Sequence, residues 1–308
     1  MSAFGQASCL TDVIEVGMRR WQQIWLALGA ASCGMASAQQ PAPLDPGQAI
    51  RLPVHSKVAH GAAFSLEAFV YRPAGGGRHP LLLLSHGSPA GDPKQGEPQA
   101  AQAKFFTDRG YIVLVPMRRG RGTSGGTSLE SLDKSCDPGS WQTGLDAAYE
   151  DVTAAIDFGL TLPGVDATRI LLAGESRGGF LSVAYAAQGP RRSRIVGVIN
   201  FVGGWVAQAE DNCPTDFNEI AFRKYGGATP ILELWLYGDG DRFYSTPSIR
   251  SYAQAYASRG GKVAFRLVAG VPDNGHLLPG YPALWSEYVD LYLKSRGLPV
   301  AAARTQND

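Results

Sequence analysis

Apolar residues fall along this chain in short runs whose spacing separates strands from helices. Residues 64–73 (FSLEAFVYRP) alternate apolar and polar positions, as a strand with one covered face does. Residues 79–87 (HPLLLLSHG) form an unbroken apolar run, the mark of a strand covered on both faces. Further runs occupy residues 111–117 (YIVLVPM), 169–175 (RILLAGE), 194–202 (RIVGVINFV), 230–238 (PILELWLYG) and 262–270 (KVAFRLVAG). Between most of them lie stretches with helical spacing, at 146–162, 178–188, 248–259 and 282–295. Strands alternating with helices predict an α/β fold: a mostly parallel central sheet, antiparallel at its start, with helices on both faces. In such sheets reactive groups gather at the carboxyl ends of the strands, so the residues just after each run are where chemistry is sought.

One run ends in an unusual way. In RILLAGESRGGFLSVAYAA, residues 169–187, a buried strand passes through Gly174, Ser176 and Gly178 into a helix. A serine thrust forward on so tight a turn needs strained backbone angles and neighbours nearly free of side chain two positions to either side. The turn also aims the first N–H groups of the helix at the serine, where they can stabilise an oxyanion. Ser176 is the candidate nucleophile; the alternative is a glycine-rich turn that only packs helix on sheet.

A nucleophilic serine needs a base and an acid. Of the histidines, only His276 follows Ser176, in the glycine-bounded loop VPDNGHLLPG between the last strand and the last helix. An exposed imidazole there can swing over the serine as general base. The preceding strand ends in LWLYGDGDRFYS, which offers Asp239 and Asp241; the residues themselves leave both open, since Gly-Asp-Gly-Asp also makes an ordinary turn.

The order Ser176, Asp, His276, with SHG after an early strand, resembles the α/β-hydrolases over roughly residues 60–297. GESRGG, WLYGDGDRFYS and NGH are most similar to the dienelactone hydrolase-like serine hydrolases, which carry no large lid. The resemblance implies Asp241, three residues past Gly238, as the acid that orients His276, and backbone N–H groups of Arg177 and Ser88 as the oxyanion hole. It also implies that no cofactor is needed. Dienelactone hydrolase itself uses a cysteine nucleophile; serine here favours ordinary esters over lactones. His86 is read as a structural residue of the SHG loop. Trp141, Trp205 and Tyr244 are candidate pocket residues, and Arg118, Arg119 and Arg121 either meet an anionic substrate or pair with the scaffold.

Charge narrows the function further. The 308 residues are 44% hydrophobic and 18% charged, with a net charge of +1 and no block of Lys or Arg, so neither nucleic acid nor an anionic membrane is an expected partner. A small-molecule ester is. The N-terminus has its own character: Arg19 and Arg20, an apolar stretch over 24–31 and ASA at 36–38 form a secretory signal pattern with Met18 as the expected true start. The stretch is too short for a permanent membrane span, so cleavage after Ala38 and a secreted or periplasmic location are expected. Arg19–Arg20 and GAASC ending at Cys33 leave twin-arginine or lipoprotein processing as alternatives. The expected organisation is a signal region at 1–38, a linker with an N-terminal strand at 39–59, the catalytic domain at 60–297 and a tail at 298–308.

Export would leave Cys136 and Cys213 in an oxidising compartment, where one disulfide joining two active-site-end loops is expected. They lack C-x-x-C spacing and a nearby histidine pair, so no metal site is expected. The leading reading is a secreted serine hydrolase of carboxylic esters or lactones. A serine peptidase of the same fold and a catalytically inactive binding protein are the alternatives.

Overall fold

The computed structural model describes residues 47–88, 98–130, 137–207 and 216–301. The expected signal region, its cleavage site, Cys136 and Cys213 lie outside the described residues, all of which belong to one compact unit, Pro43–Asp308.

Eight strands form one sheet: β1 (Gln48–Ser56), β2 (Ala62–Tyr71), β3 (His79–Ser85), β4 (Ile112–Pro116), β5 (Val165–Glu175), β6 (Ile195–Phe201), β7 (Leu232–Gly238) and β8 (Lys262–Val268). Their order is β1-β2-β4-β3-β5-β6-β7-β8. The β1–β2 and β2–β4 pairs are antiparallel; every pair from β4–β3 to β7–β8 is parallel. Burial follows from position. Central β3 is buried from Pro80 onward, whereas edge strand β8 is half-buried or exposed until Val268.

The helices are α1 (Ala100–Thr107), α2 (Pro138–Gly159), α3 (Arg177–Gln188), α4 (Phe217–Gly226), α5 (Thr246–Ala257) and α6 (Pro282–Ser295). Helices α1 and α6 meet on one face of the sheet, where the rings of Phe105 and Trp285 lie 4.6 Å apart and Arg109 Nε donates to Asp290 at 2.6 Å. On the other face α2, α3, α4 and α5 contact in sequence around Phe180, Phe222 and Trp235. The chain is thus a three-layer α/β protein, as its periodicity predicts.

Two differences from the sequence pattern are local. Helix α2 begins at Pro138 rather than 146, because Asp137 accepts from the backbone N–H groups of Gly139 at 3.2 Å and Ser140 at 2.8 Å while proline occupies the first turn. Short helices α1 and α4 also appear, the second capped by Asp216, which accepts from Glu219 N at 3.1 Å.

Candidate active site

The turn from β5 into α3 carries Ser176 with φ 53° and ψ −123°, a strained conformation for a residue with a Cβ. Sterics around it are severe: a Cβ on Gly174 would strike the backbone of Gly178, and one on Gly178 would strike the carbonyls of Ser85 and His86. The strain is held by backbone bonds. Ser176 N–H donates to Phe201 O at 2.9 Å, and Ser176 O accepts from Phe180 N at 3.0 Å and Gly204 N at 3.3 Å. A serine before a helix ordinarily caps it; Ser176 makes no capping bond with its side chain, which lines a cavity instead.

That cavity, about 640 Å³, is lined by Ser176 and His276 together with Ser88, Glu175, Val202 and Phe243, among others. Its size suits a small organic ligand.

The structure brings Asp241 and His276 together. His276 Nδ1–H donates to Asp241 Oδ2 at 2.8 Å, which leaves Nε2 of the neutral ring as the acceptor. The other carboxylate oxygen of Asp241 accepts from Phe243 N at 2.8 Å and Tyr244 N at 3.1 Å, so the buried acid is fixed before the imidazole arrives. Asp239 faces elsewhere, accepting from Thr246 Oγ1 at 2.9 Å. Asn274 ties the two loops into one unit: its Oδ1 accepts from His276 N and from Arg242 N, each at 3.0 Å. Sequence reasoning missed Asn274, although an Asx turn two residues before the histidine is a readable spacing. It also missed Glu175, whose carboxylate accepts from Gln102 Nε2 at 3.4 Å on the cavity wall, and the Phe243 ring, 4.5 Å from that of His276.

Three expected pocket residues lie elsewhere. Trp141, near the start of α2, is fully buried against Phe217, at 4.7 Å between rings, and Trp205 packs in the core beside Phe180. Tyr244 sits behind His276, its ring 5.6 Å away and 2% exposed. None of the three lines the cavity: large aromatic surfaces gain more from being covered by the core than from facing solvent.

The three arginines after β4 pair with the scaffold. Arg119 bonds Asp151 at 2.8 Å and Glu150 at 3.0 Å; Arg118 and Arg121 both reach Glu130. Burial alone would raise the Glu130 carboxyl, but the charge of and hydrogen bond from Arg118 hold it well below the usual carboxylate range. His86, buried beside Arg118, is pushed down to about 3 by desolvation and by that positive charge, so it is neutral. Its Nε2 accepts from Arg118 N at 3.1 Å, which places its proton on Nδ1, donating to Gly87 O at 2.6 Å. Its role is structural.

A family model described as acetyl xylan esterase (AXE1) matches residues 61–221, just over half of the chain. The chain belongs to that family. The matched span of this acetyl xylan esterase family member includes Ser88 and Ser176; Asp241 and His276 lie beyond it. Solved structures extend the likeness over the whole fold. A Klebsiella pneumoniae subsp. pneumoniae MGH 78578 protein described as a dienelactone hydrolase matches 81% of this chain and 98% of its own, at 16% identity and TM-score 0.56. Thermogutta terrifontis esterase 2, phosphorylated by paraoxon, matches 84% and 97%, at 17% identity and TM-score 0.53. A Mycobacterium tuberculosis puromycin-hydrolyzing peptidase matches 82% of this chain but only 40% of its own, at 18% identity and TM-score 0.58. At these identities the likeness is one of fold, and the fold is that of the α/β-hydrolases. No curated protein matches the chain. Among the described residues, no helix is long and apolar enough to cross a membrane, and no group of three or more His, Cys, Asp or Glu could hold a metal ion.

Proposed function

We propose that the chain is a serine hydrolase of small carboxylic esters that works through an acyl-enzyme on Ser176. The observation that carries this reading is the 2.8 Å bond from His276 to Asp241, with His276 and Ser176 on the wall of one cavity. In the first half-reaction His276 Nε2 takes the Ser176 proton as Oγ attacks the substrate carbonyl carbon. The N–H groups of Arg177 and Ser88 receive the oxyanion, and collapse of the tetrahedral intermediate expels the alcohol with the proton returned by His276. Water then repeats the sequence on the acyl-enzyme and frees the acid. Asp241 holds the imidazole in the tautomer this needs and stabilises its charged form.

The family's description directs the acyl group towards acetyl, and Val202, Phe243 and Pro279 supply an apolar wall for it. Export with cleavage after Ala38, and a Cys136–Cys213 disulfide, belong to the same reading and rest on the sequence pattern alone.

The test is turnover of p-nitrophenyl esters of increasing chain length, of acetylated xylan and of lactones, with wild type and Ser176→Ala. The variant is expected to fold and to lose about 10⁴-fold or more in kcat, since removing a nucleophile leaves only binding and the oxyanion hole. A fluorophosphonate probe should label wild type and not the variant. Asp241→Asn should cost far more than Asp239→Asn, because only the former carboxylate touches His276. Near-normal turnover in Ser176→Ala would overturn the assignment.

A further inference from the structure

Arg118 sits under the loop that follows β3 and makes contacts out of proportion to a scaffold ion pair. Its Nη1 donates to His86 O at 2.6 Å, its Nη2 to Gly87 O at 3.0 Å, its backbone N–H to His86 Nε2 at 3.1 Å, and its Nε to the buried Glu130 carboxylate. Gly87 O therefore receives two donors, His86 Nδ1–H and Arg118 Nη2. Glu130 extends the network to the next residue: its Oε2 accepts from Ser88 Oγ at 3.3 Å, and that same hydroxyl accepts from Arg177 Nη1 at 3.3 Å.

The consequence is geometric. In a trans peptide the C=O and N–H vectors point in opposite directions, and the structure holds no cis bond. Arg118 and His86 hold the Gly87 carbonyl, so the N–H of the same peptide unit, that of Ser88, points away from the arginine. Gly87 and Ser88 line the cavity, as Arg118 does not, and a Cβ on Gly87 would come within 3.3 Å of Ser176 Cβ. The Ser88 N–H makes no hydrogen bond with any described residue, as a donor reserved for a ligand should. A donor already engaged at its carbonyl is also polarised and strengthened.

We infer that Arg118, set by its buried pairing with Glu130, is a positioning residue that locks the Gly87–Ser88 peptide with its N–H turned to the oxyanion formed on Ser176. This inference rests on the ester-hydrolase reading and adds to it the device that makes one oxyanion donor rigid. Neutral His86 contributes the second grip on the same carbonyl; a charged imidazole could not also accept from Arg118 N–H.

The experiment uses Arg118→Lys, which keeps the charge but cannot hold two carbonyls and a carboxylate in one plane, and the triple variant Arg118→Gln/Arg121→Gln/Glu130→Gln, which removes the pair without leaving Arg121 facing an absent carboxylate. For each folded protein, kcat and KM for p-nitrophenyl acetate are compared with the inhibition constant of a trifluoromethyl ketone, whose hemiketal oxyanion occupies the same place. Losing one oxyanion donor outright costs about 10²–10³ in kcat, so its misplacement is expected to cost about 10- to 100-fold with KM little changed. Inhibitor affinity should fall by the same factor, and the pH dependence of kcat should keep its shape because the Asp241–His276 pair is untouched. A purely structural role would instead raise KM, or lower turnover without a matching loss of inhibitor affinity, and either result overturns the inference. If both variants fail to fold, wild type decides: with serine amides labelled by ¹⁵N, the Ser88 resonance should move strongly downfield when the ketone adduct forms, and a stationary resonance counts against the inference. If the ester-hydrolase reading itself is wrong, wild type neither turns over esters nor reacts with fluorophosphonate, an outcome distinct from both.

Discussion

Glu130 and Glu233 are both glutamates, both buried, and about as different as two copies of one side chain can be. Glu130, in the loop beside the active site, faces the guanidinium groups of Arg118 and Arg121 and stays ionised well below the usual carboxylate range, because the Arg118 charge outweighs the desolvation that would raise it. Glu233, on β7 under α5, meets no cation among the described residues. Its Oε2 accepts from Trp235 Nε1 at 2.8 Å, and burial pushes it up to about 8 against the opposing pull of Trp235 and the Tyr256 hydroxyl. Burial alone does not say what a carboxyl does; its partners do. At the active site the fold keeps a paired charge where a peptide plane must be held, and in the sheet it keeps a neutral acid that serves as a hydrogen-bond acceptor.

The largest expected effect breaks the first member of that pair. Glu130→Gln leaves Arg118 and Arg121 buried without a counter-charge, which is expected to cost about 3–5 kcal/mol in urea unfolding and to lower ester turnover with it. The unfolded chain takes up a proton near 4.5 while native Glu130 stays ionised, so the stability this carboxylate supplies is present above that pH and lost as pH falls. The gap between wild type and Glu130→Gln should accordingly narrow on going from pH 6 to pH 3. A gap that widens in acid would mean that the carboxylate is not held by the arginines.

Glu233 carries the opposite sign. It keeps its proton in the native state up to about pH 8, whereas the unfolded chain releases one near 4.5. Between those values the native state binds more protons, so stability falls as pH rises through the window, by an amount on the order of a few kcal/mol. Glu233→Gln preserves the shape and the acceptor for Trp235 but cannot ionise. The difference in stability between the two proteins is expected to shift in favour of the glutamine variant from pH 5 to pH 9 and then level off. Parallel pH curves would show that Glu233 is not the group responsible.

The contrast also marks what a sequence discloses. Strands β3 to β7 are legible because a buried parallel strand leaves an unbroken apolar run, and Ser176 because its turn admits no side chain at Gly174 or Gly178. Residue type and turn chemistry do not separate Asp241 from Asp239, and only the family resemblance favours Asp241; in the structure the packing of the Gly275 loop against Gly238 and Gly240 brings Asp241 to His276. Helix α1 is short, and its contact with α6 through Phe105 and Trp285 is set by the fold rather than by a long periodic face. The Arg118–Glu130 pair is only half legible: the arginines after β4 can be read as scaffold partners, but Glu130 lies in an irregular stretch with nothing periodic to announce that it will be buried against them.

The smallest effect sharpens the comparison by supplying an exposed control. Arg191 and Asp157 form a geometrically good bidentate pair, at 2.7 and 2.9 Å, better than several contacts around Glu130, yet both side chains are 44% exposed. Water already solvates these charges, so the pair gains little on forming and leaves little uncompensated on breaking. Asp157→Asn is expected to cost no more than about 0.5 kcal/mol in urea unfolding, and less still in 1 M salt, where the Debye length is only about 3 Å. The same salt should hardly change the cost of Glu130→Gln, because screening ions do not reach the buried guanidiniums. If instead the two costs converge, or salt erodes both alike, then hydrogen-bond geometry rather than burial sets the worth of a charge pair in this protein, and the case for Arg118 as a buried clamp loses its physical basis.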